Sequence, residues 1–402
     1  MASPAPRLTV LSLAAIARDG RVLRQLDAAA RAGWSVTAVV WGAPADVPAE
    51  IALRPVAPHR FGRFGQARQA LRLLAGRWSQ RAFEAWYWAK PDHRAALAAV
   101  VASKPDVIHA NDVLALPAAI HAAKRTGARV LFDAHEYSPE RLPRRTMLRA
   151  LARPLYRWLL ATYGPRADAM VTVGPALAER YLAEFGLRAG VVRNCPPYQD
   201  LPLHATDPGH IRLIHHGVAM PARQLERMID VVARCDARWH LCFVLLDDGS
   251  RHVDALARYA ERRAPGRVAF RDPVPPDRIA ATLNAEADVG LFLLPPVDFS
   301  YRMALPNKLF EFIMAGLAVA IGPSPEMARV VEEHGCGVIG HDFEPASLAD
   351  RLNRLTEADI DAFKRRSLVA ARTLNAEGEM ARLVTQYADL LGRAPQPAEP
   401  SA

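Results

Sequence analysis

Asn307, Lys308 and Glu311 are residue types that could together hold a charged, hydroxylated ligand. They follow Pro306, whose fixed φ and missing N–H suit the first position of a helix. Separations of three and four residues place Lys308, Asn307 and Glu311 on one helix face. A lysine is electrostatically misplaced at a helix N-terminus, where the dipole favours anions. An external phosphate beside Lys308 resolves the conflict and also uses the free backbone N–H groups. Glu311 can then accept two hydroxyls, as a ribose diol offers. A surface Lys308–Glu311 ion pair is the plainer use of the same spacing and adds little.

Polar groups gather at the ends of other apolar runs. DVIHANDVLALP carries His109, Asn111 and Asp112, and VLFDAHEYSPE carries Asp133, His135 and Glu136. Two such clusters after successive strands are what a cleft wall requires. IRLIHHGVAMPARQLERM ends its strand at His215, His216 and Gly217. Gly217 permits close backbone approach. Arg223 is expected to open the next helix near Ala222, where it could hold a diphosphate in fork geometry. AIARDGRV places Asp19 and Gly20 in a turn after the first strand. The His109–Asp112 and Asp133–His135 spacings lack a third-ligand pattern, so no metal is expected. GxGxxG, GxxxxGK[ST] and GxSxG are all absent. That argues against dinucleotide, P-loop and nucleophile-elbow chemistry.

The elements that must position these groups alternate between strand and helix. In the first half the expected strands are Leu8–Leu13, Ser35–Val40, Val107–His109, Arg129–Phe132 and Ala169–Val173, separated by helical patterns such as Arg21–Arg31, Pro117–Lys124 and Pro175–Glu184. The proline-rich, aperiodic segment Asn194–His210 reads as a linker. The alternation restarts with Ile211–His216, helix Ala222–Cys235, strand His240–Leu246 and helix His252–Arg262. It continues through strand Val289–Leu294, helix Pro306–Ala315, strand Ala318–Gly322 and helix Pro325–Glu333. The fold class is therefore α/β, with two doubly wound, Rossmann-like domains facing a cleft. The expected division is into domains 1–195 and 196–375. A helix at 376–391 should return to the first domain, and 392–402 should be a disordered tail.

The chain has 402 residues, of which 51% are hydrophobic and 23% charged, so a globular protein is expected. No apolar stretch is long enough to span a membrane, and the N-terminus reads as a strand rather than a signal peptide. Four cysteines without a CxxC pair fit a reducing, cytoplasmic compartment. The net charge of +9 is unevenly placed: residues 1–195 carry 28 Lys and Arg against 14 Asp and Glu. The first half is thus suited to an anionic partner.

With PNKLFEFIMAGLAVA, DAHE, HAND, VTVGPALAERYLAEFG, VVRNCPP and HHG in this order, the chain resembles the retaining glycosyltransferases of family four, which have the GT-B fold. The resemblance spans residues 8–390, and PNKLFE with DAHE is its most specific part. It implies sugar transfer with retention from a nucleotide diphosphate sugar to a glycan or lipid-linked saccharide. No metal and no cofactor beyond that co-substrate is implied. By the resemblance, Glu311 binds the donor ribose, and Asn307 and Lys308 stand near its phosphates. Pro325 and Glu326 lie at the cleft's edge. Arg223 neutralises the leaving diphosphate, with Lys308. His135 lies beside the transferred sugar, the Asp19–Gly20 loop lets the donor phosphate approach, and Gly217 is a further donor-binding residue. His109, Asn111, Asp112 and Glu136 fall on the acceptor side. The chain departs from the family pattern at Met303, where many relatives have a first glutamate, and at Met228 and Ile229, where many have a lysine.

Two other functions use the same architecture: a nucleotide-sugar epimerase or hydrolase, and a sugar-binding subunit without turnover. No nucleic-acid module is present. The stretch Arg141–Arg166 has seven arginines and no acidic residue, with Leu148, Leu151, Leu155, Trp158, Leu159 and Tyr163 at helical spacing. That pattern suits the anionic inner face of a membrane. Arg60–Lys90 adds seven basic residues against Glu84, with Phe61, Phe64, Trp78, Trp86, Tyr87 and Trp88.

Overall fold

The computed structural model describes residues 4–17, 19–42, 47–140, 146–247, 249 and 251–392. Residues 141–145, the side chains of Leu148 and Leu151, and the tail beyond Gly392 lie outside the described residues, so the expectations placed on them stay there. Packing divides the chain into two units: Met1–Arg193 with Glu379–Ala402, and Asn194–Gly378.

The first unit holds strands β1 (Arg7–Ala15), β2 (Ser35–Trp41), β3 (Ala52–Val56), β4 (Val107–Asn111), β5 (Arg129–Ala134), β6 (Ala169–Thr172) and β7 (Gly190–Val191). They form one parallel sheet in the order β3-β2-β1-β4-β5-β6-β7. Its helices are α1 (Gly20–Arg31), α2 (Arg63–Ala75), α3 (Gln80–Trp88), α4 (Pro91–Ala102), α5 (Leu116–Thr126), α6 (Thr146–Tyr163) and α7 (Pro175–Phe185). The second unit holds β8 (Ile211–Val218), β9 (Trp239–Leu246), β10 (Val268–Arg271), β11 (Val289–Phe292), β12 (Ala318–Ile321) and β13 (Gly337–Ile339). This sheet is also parallel, in the order β10-β9-β8-β11-β12-β13. Its helices are α8 (Glu226–Arg234), α9 (His252–Arg263), α10 (Ile279–Glu286), α11 (Phe299–Arg302), α12 (Asn307–Met314), α13 (Pro325–His334), α14 (Pro345–Asn353) and α15 (Glu357–Ala371). The last helix, α16 (Ala376–Leu390), places Met380, Leu383 and Tyr387 in the core of the first unit with Leu8, Val10 and Val107.

The central strands are buried on both faces, which is why they read as unbroken apolar runs. Leu8, Val10 and Leu11 of β1 and Val319, Ala320 and Ile321 of β12 have no exposed surface. Each sheet reverses its strand order once, between β1 and β4 and between β8 and β11. Loops after the strands flanking such a reversal are where open α/β sheets bind ligands.

Two expectations change in detail. Arg223 does not open a helix. It ends a short 3-10 turn, Pro221–Arg223, and Gln224 then turns left-handed at φ +49° before α8 begins at Glu226. The apolar face assigned to a membrane in Arg141–Arg166 is packed inside: Leu155, Trp158, Leu159 and Tyr163 of α6 are buried. Trp158 lies 5.5 Å from Phe83, and the Tyr163 hydroxyl donates to Glu84 at 2.5 Å. The stripe is amphipathic, but neighbouring helices cover it.

Candidate functional site

In the second unit, β8 delivers His215, His216 and Gly217 to the point where the strand order reverses. Alternation along the strand sends the two histidines to opposite faces. His215 is buried and stacks on Phe292 with ring centres 5.4 Å apart. Its Nδ1 is 3.0 Å from the Leu291 carbonyl. Burial, then the nearby charges of Lys308 and His216, hold its pKa well below the ordinary value. The ring is therefore neutral, with Nδ1–H donating and Nε2 bare. His216 faces the other way, with Nε2 3.1 Å from Glu311 Oε2.

Gly217 has φ +121°, a conformation that side chains other than glycine rarely adopt. A Cβ built there would stand 2.5 Å from Lys308 Nζ and 3.6 Å from Arg223 Nη1. The glycine is thus the floor on which the two cations converge. Arg223 is anchored by a hydrogen bond from Nη1 to the Val218 carbonyl at 3.2 Å. Lys308 lies in the first turn of α12, as Asn307 does, with Pro306 as the cap residue. Burial and the Arg223 charge pull its pKa down to about 7, with Glu311 opposing. The nearest carboxylate on α12, Glu311, also contacts His216 and only partly offsets the repulsion between Lys308 and Arg223. Two cations, a helix N-terminus and a close backbone approach form a site for an anion with more than one charge. Asn307 is exposed beside them. Pro325 and Glu326 open α13 after β12, and Glu326 is buried and paired with Arg329 at 3.2 Å.

The corresponding positions of the first unit are arranged differently from the expectation. Asp19 caps α1: its carboxylate accepts from the backbone N–H of Arg21 and Val22 at 3.1 and 3.3 Å. Gly20 follows as the first helical residue. These two amides are therefore already bonded. Arg21, which opens the expected helix, is buried and donates to both oxygens of Asp133 at 2.8 and 3.0 Å. Gln25 adds a third bond to that carboxylate at 2.6 Å. His109 is fully buried, between the Tyr387 hydroxyl at 2.6 Å and Asp133 at 3.5 Å. Asn111 is buried in β4 as well. His109 and Asn111 are thus internal residues of the sheet rather than part of an open wall. Asp112 turns left-handed at φ +70°, and its carboxylate accepts from Val113 N at 2.6 Å and from Ser138 Oγ at 3.2 Å.

The segment after β5 is held at both ends. Thr172 Oγ1 donates to the Ala134 carbonyl at 2.7 Å, and the Tyr181 hydroxyl to that of Glu136 at 2.7 Å. Between these anchors His135 is half-buried, and its Nδ1 is enclosed without a hydrogen-bond partner. Glu136 is exposed. Among the described residues, no group of three or more His, Cys, Asp or Glu side chains is placed to hold a metal ion.

Residues 20–197 match the family described as the glycosyl transferase 4-like domain. The fold is GT-B. Sucrose-phosphate synthase from Thermosynechococcus elongatus superposes with a TM-score of 0.68 at 14% identity, covering 96% of this chain and 99% of that one. HepE from Anabaena in complex with UDP gives 0.65 at 16% identity, with 96% and 99% covered. WaaG, a glycosyltransferase involved in lipopolysaccharide biosynthesis, gives 0.63 at 14% identity, with 96% and 100% covered. No curated protein matches by sequence. The matched domain and the GT-B fold are together those of a glycosyltransferase enzyme.

The cluster in the second unit has one member, His216, that sequence reasoning passed over as a ligand group. The doublet His215–His216 at a strand end was its only signal. In the first unit, Arg21, Gln25 and Tyr387 were missed, because their partner lies more than 100 positions away in sequence.

Proposed function

We propose that the protein transfers a sugar, with retention of anomeric configuration and without a metal, from a nucleoside diphosphate sugar to a saccharide or lipid-linked acceptor. The observation that carries this reading is the convergence of Lys308 and Arg223 over Gly217 at the N-terminus of α12, with Glu311 one turn on. HepE has been solved with UDP and with UDP-glucose, which supports a donor of this class. Arg223 and Lys308 bind the two phosphates and stabilise the charge that grows on the departing diphosphate. Glu311 accepts the two ribose hydroxyls. The acceptor oxygen attacks the anomeric carbon on the face that the diphosphate leaves, and a leaving phosphate oxygen takes the acceptor proton. The family resemblance gives His135 the role of orienting the transferred sugar. The acceptor, bound to the basic first unit, would be anionic or held at an anionic surface.

A panel of nucleoside diphosphate sugars screened by thermal shift tests the donor class, since a ligand bound only to the folded state raises apparent stability. Anomer-resolved NMR of the product then tests retention. Met303, in place of a sugar-contacting carboxylate, favours a second reading as a binding subunit without turnover. A stabilising donor with no transfer to any acceptor would support it. Epimerised or hydrolysed sugar from donor alone would favour the epimerase or hydrolase.

A further inference from the structure

Helix α2 is built inside out. Its inward side includes Gln69, buried and donating to the Trp86 carbonyl at 3.2 Å. Its outward side carries the apolar residues. Phe64 is 91% exposed, Leu71 64% and Leu74 43%, and Trp78 just past the helix is 79% exposed. Phe64, Ala67, Leu71 and Ala75 are spaced 0, 3, 7 and 11 along the chain, which is one line down a helix. All four are exposed. Ordinary amphipathic logic puts such a stripe in the core; here the core side is occupied by a glutamine.

The charges around the stripe have one sign. Residues 51–83 contain seven arginines and no aspartate or glutamate. Arg60, Arg63, Arg68, Arg77 and Arg81 are exposed on or beside α2. A second copy of the chain docked symmetrically on this face would bring arginines against arginines. A surface with apolar depth and dense negative charge fits instead, and the interface of a bilayer containing anionic phospholipid has both properties.

We propose that α2 and Trp78 form a membrane-surface anchor: Phe64, Leu71 and Trp78 enter the acyl boundary while the flanking arginines meet lipid phosphates. The anchor is independent of the donor reading and can be tested without any sugar.

The full-length protein is mixed with phosphatidylglycerol–phosphatidylcholine vesicles and with phosphatidylcholine vesicles alone, and floated at low and high salt. The wild type is expected to float with the anionic vesicles at low salt, and to stay behind with phosphatidylcholine or at high salt. The double variant Phe64→Ser, Trp78→Ser should lose vesicle affinity by about tenfold or more, because two large apolar side chains no longer leave water. Its melting temperature should be unchanged, because both residues are already in solvent. Failure of the wild type to float overturns the proposal. So does flotation undiminished in the double variant, which would mark a general attraction to polyanions. Light scattering supplies a third arm. A concentration-dependent dimer, formed without lipid and abolished by the same two substitutions, would assign the face to self-association and overturn the membrane anchor.

Discussion

The Arg21 guanidinium and the Asp133 carboxylate face each other through two hydrogen bonds, with both side chains out of solvent. The pair joins the first turn of α1 to the end of β5, two residues before His135. Burial alone would raise the Asp133 pKa; the charge and hydrogen bonds of Arg21, with His109 close by, outweigh it and hold the carboxyl well below the ordinary range. Removing one partner leaves the other buried and uncompensated. Asp133→Ala is therefore expected to cost about 3–5 kcal/mol of stability, measured by denaturant unfolding. The pH dependence has a definite sign. A folded pKa below the unfolded one gives stability that is present above the unfolded value and is lost as pH falls through the folded value. The wild type should thus lose this contribution progressively as pH falls below about 4, and the variant should lack that share of acid-sensitive stability.

Gly217→Ala tests the floor of the anion site. The new methyl would meet Lys308 Nζ at 2.5 Å, at a φ of +121° that alanine rarely adopts. The lysine must move off the glycine, so phosphate affinity should fall, by about tenfold or more if one charged hydrogen bond is lost. Calorimetric titration with a nucleoside diphosphate measures this. Unchanged affinity would separate Lys308 from the diphosphate.

The part of this architecture that local sequence encodes is the part with local causes. The central strands are continuous apolar runs because both of their faces are covered, and they are legible for that reason. β3 is not, since Ala52–Val56 contains Arg54 and Pro55, and a proline is tolerated there only because β3 is an edge strand. The Lys308–Glu311 spacing marks a helix face, whereas the placement of Arg223 opposite it depends on a left-handed Gln224 that nothing in PARQLER announces. Arg21 looks like any helix-opening arginine, and its burial is decided by an aspartate 112 residues away. The stripes of α2 and α6 show the same limit in mirror image. Periodicity identifies an apolar line in each, but only packing determines that α6 buries its own and α2 does not.

Glu311 accepts ribose hydroxyls on the proposed reading, and its contact with His216 fixes where it points. Glu311→Gln should weaken a nucleoside diphosphate by about tenfold, while inorganic pyrophosphate, which has no diol, should bind as before. His216→Ala should produce a smaller effect of the same kind. Equal loss for both ligands in Glu311→Gln would place the carboxylate's role in the fold rather than in ribose recognition.

Lys308 gives the donor site a pH dependence of its own. Burial first, and the Arg223 charge second, lower its pKa to about 7, so the free site is half protonated near neutrality. A diphosphate binds the protonated lysine preferentially and so raises its pKa. Linkage then requires that affinity be full below pH 7, fall as pH rises through 7, and level off only above the pKa of the complex, by about tenfold per pH unit between the two. Binding at pH 8 should take up close to one proton. Calorimetry in two buffers of different ionisation enthalpy counts that proton directly. In Lys308→Ala the affinity should be lower by about 10- to 100-fold, with the uptake abolished. In Lys308→Arg, whose guanidinium stays charged throughout, binding should persist with no dependence on pH across this range. Proton uptake that survives in Lys308→Ala would assign the titrating group elsewhere.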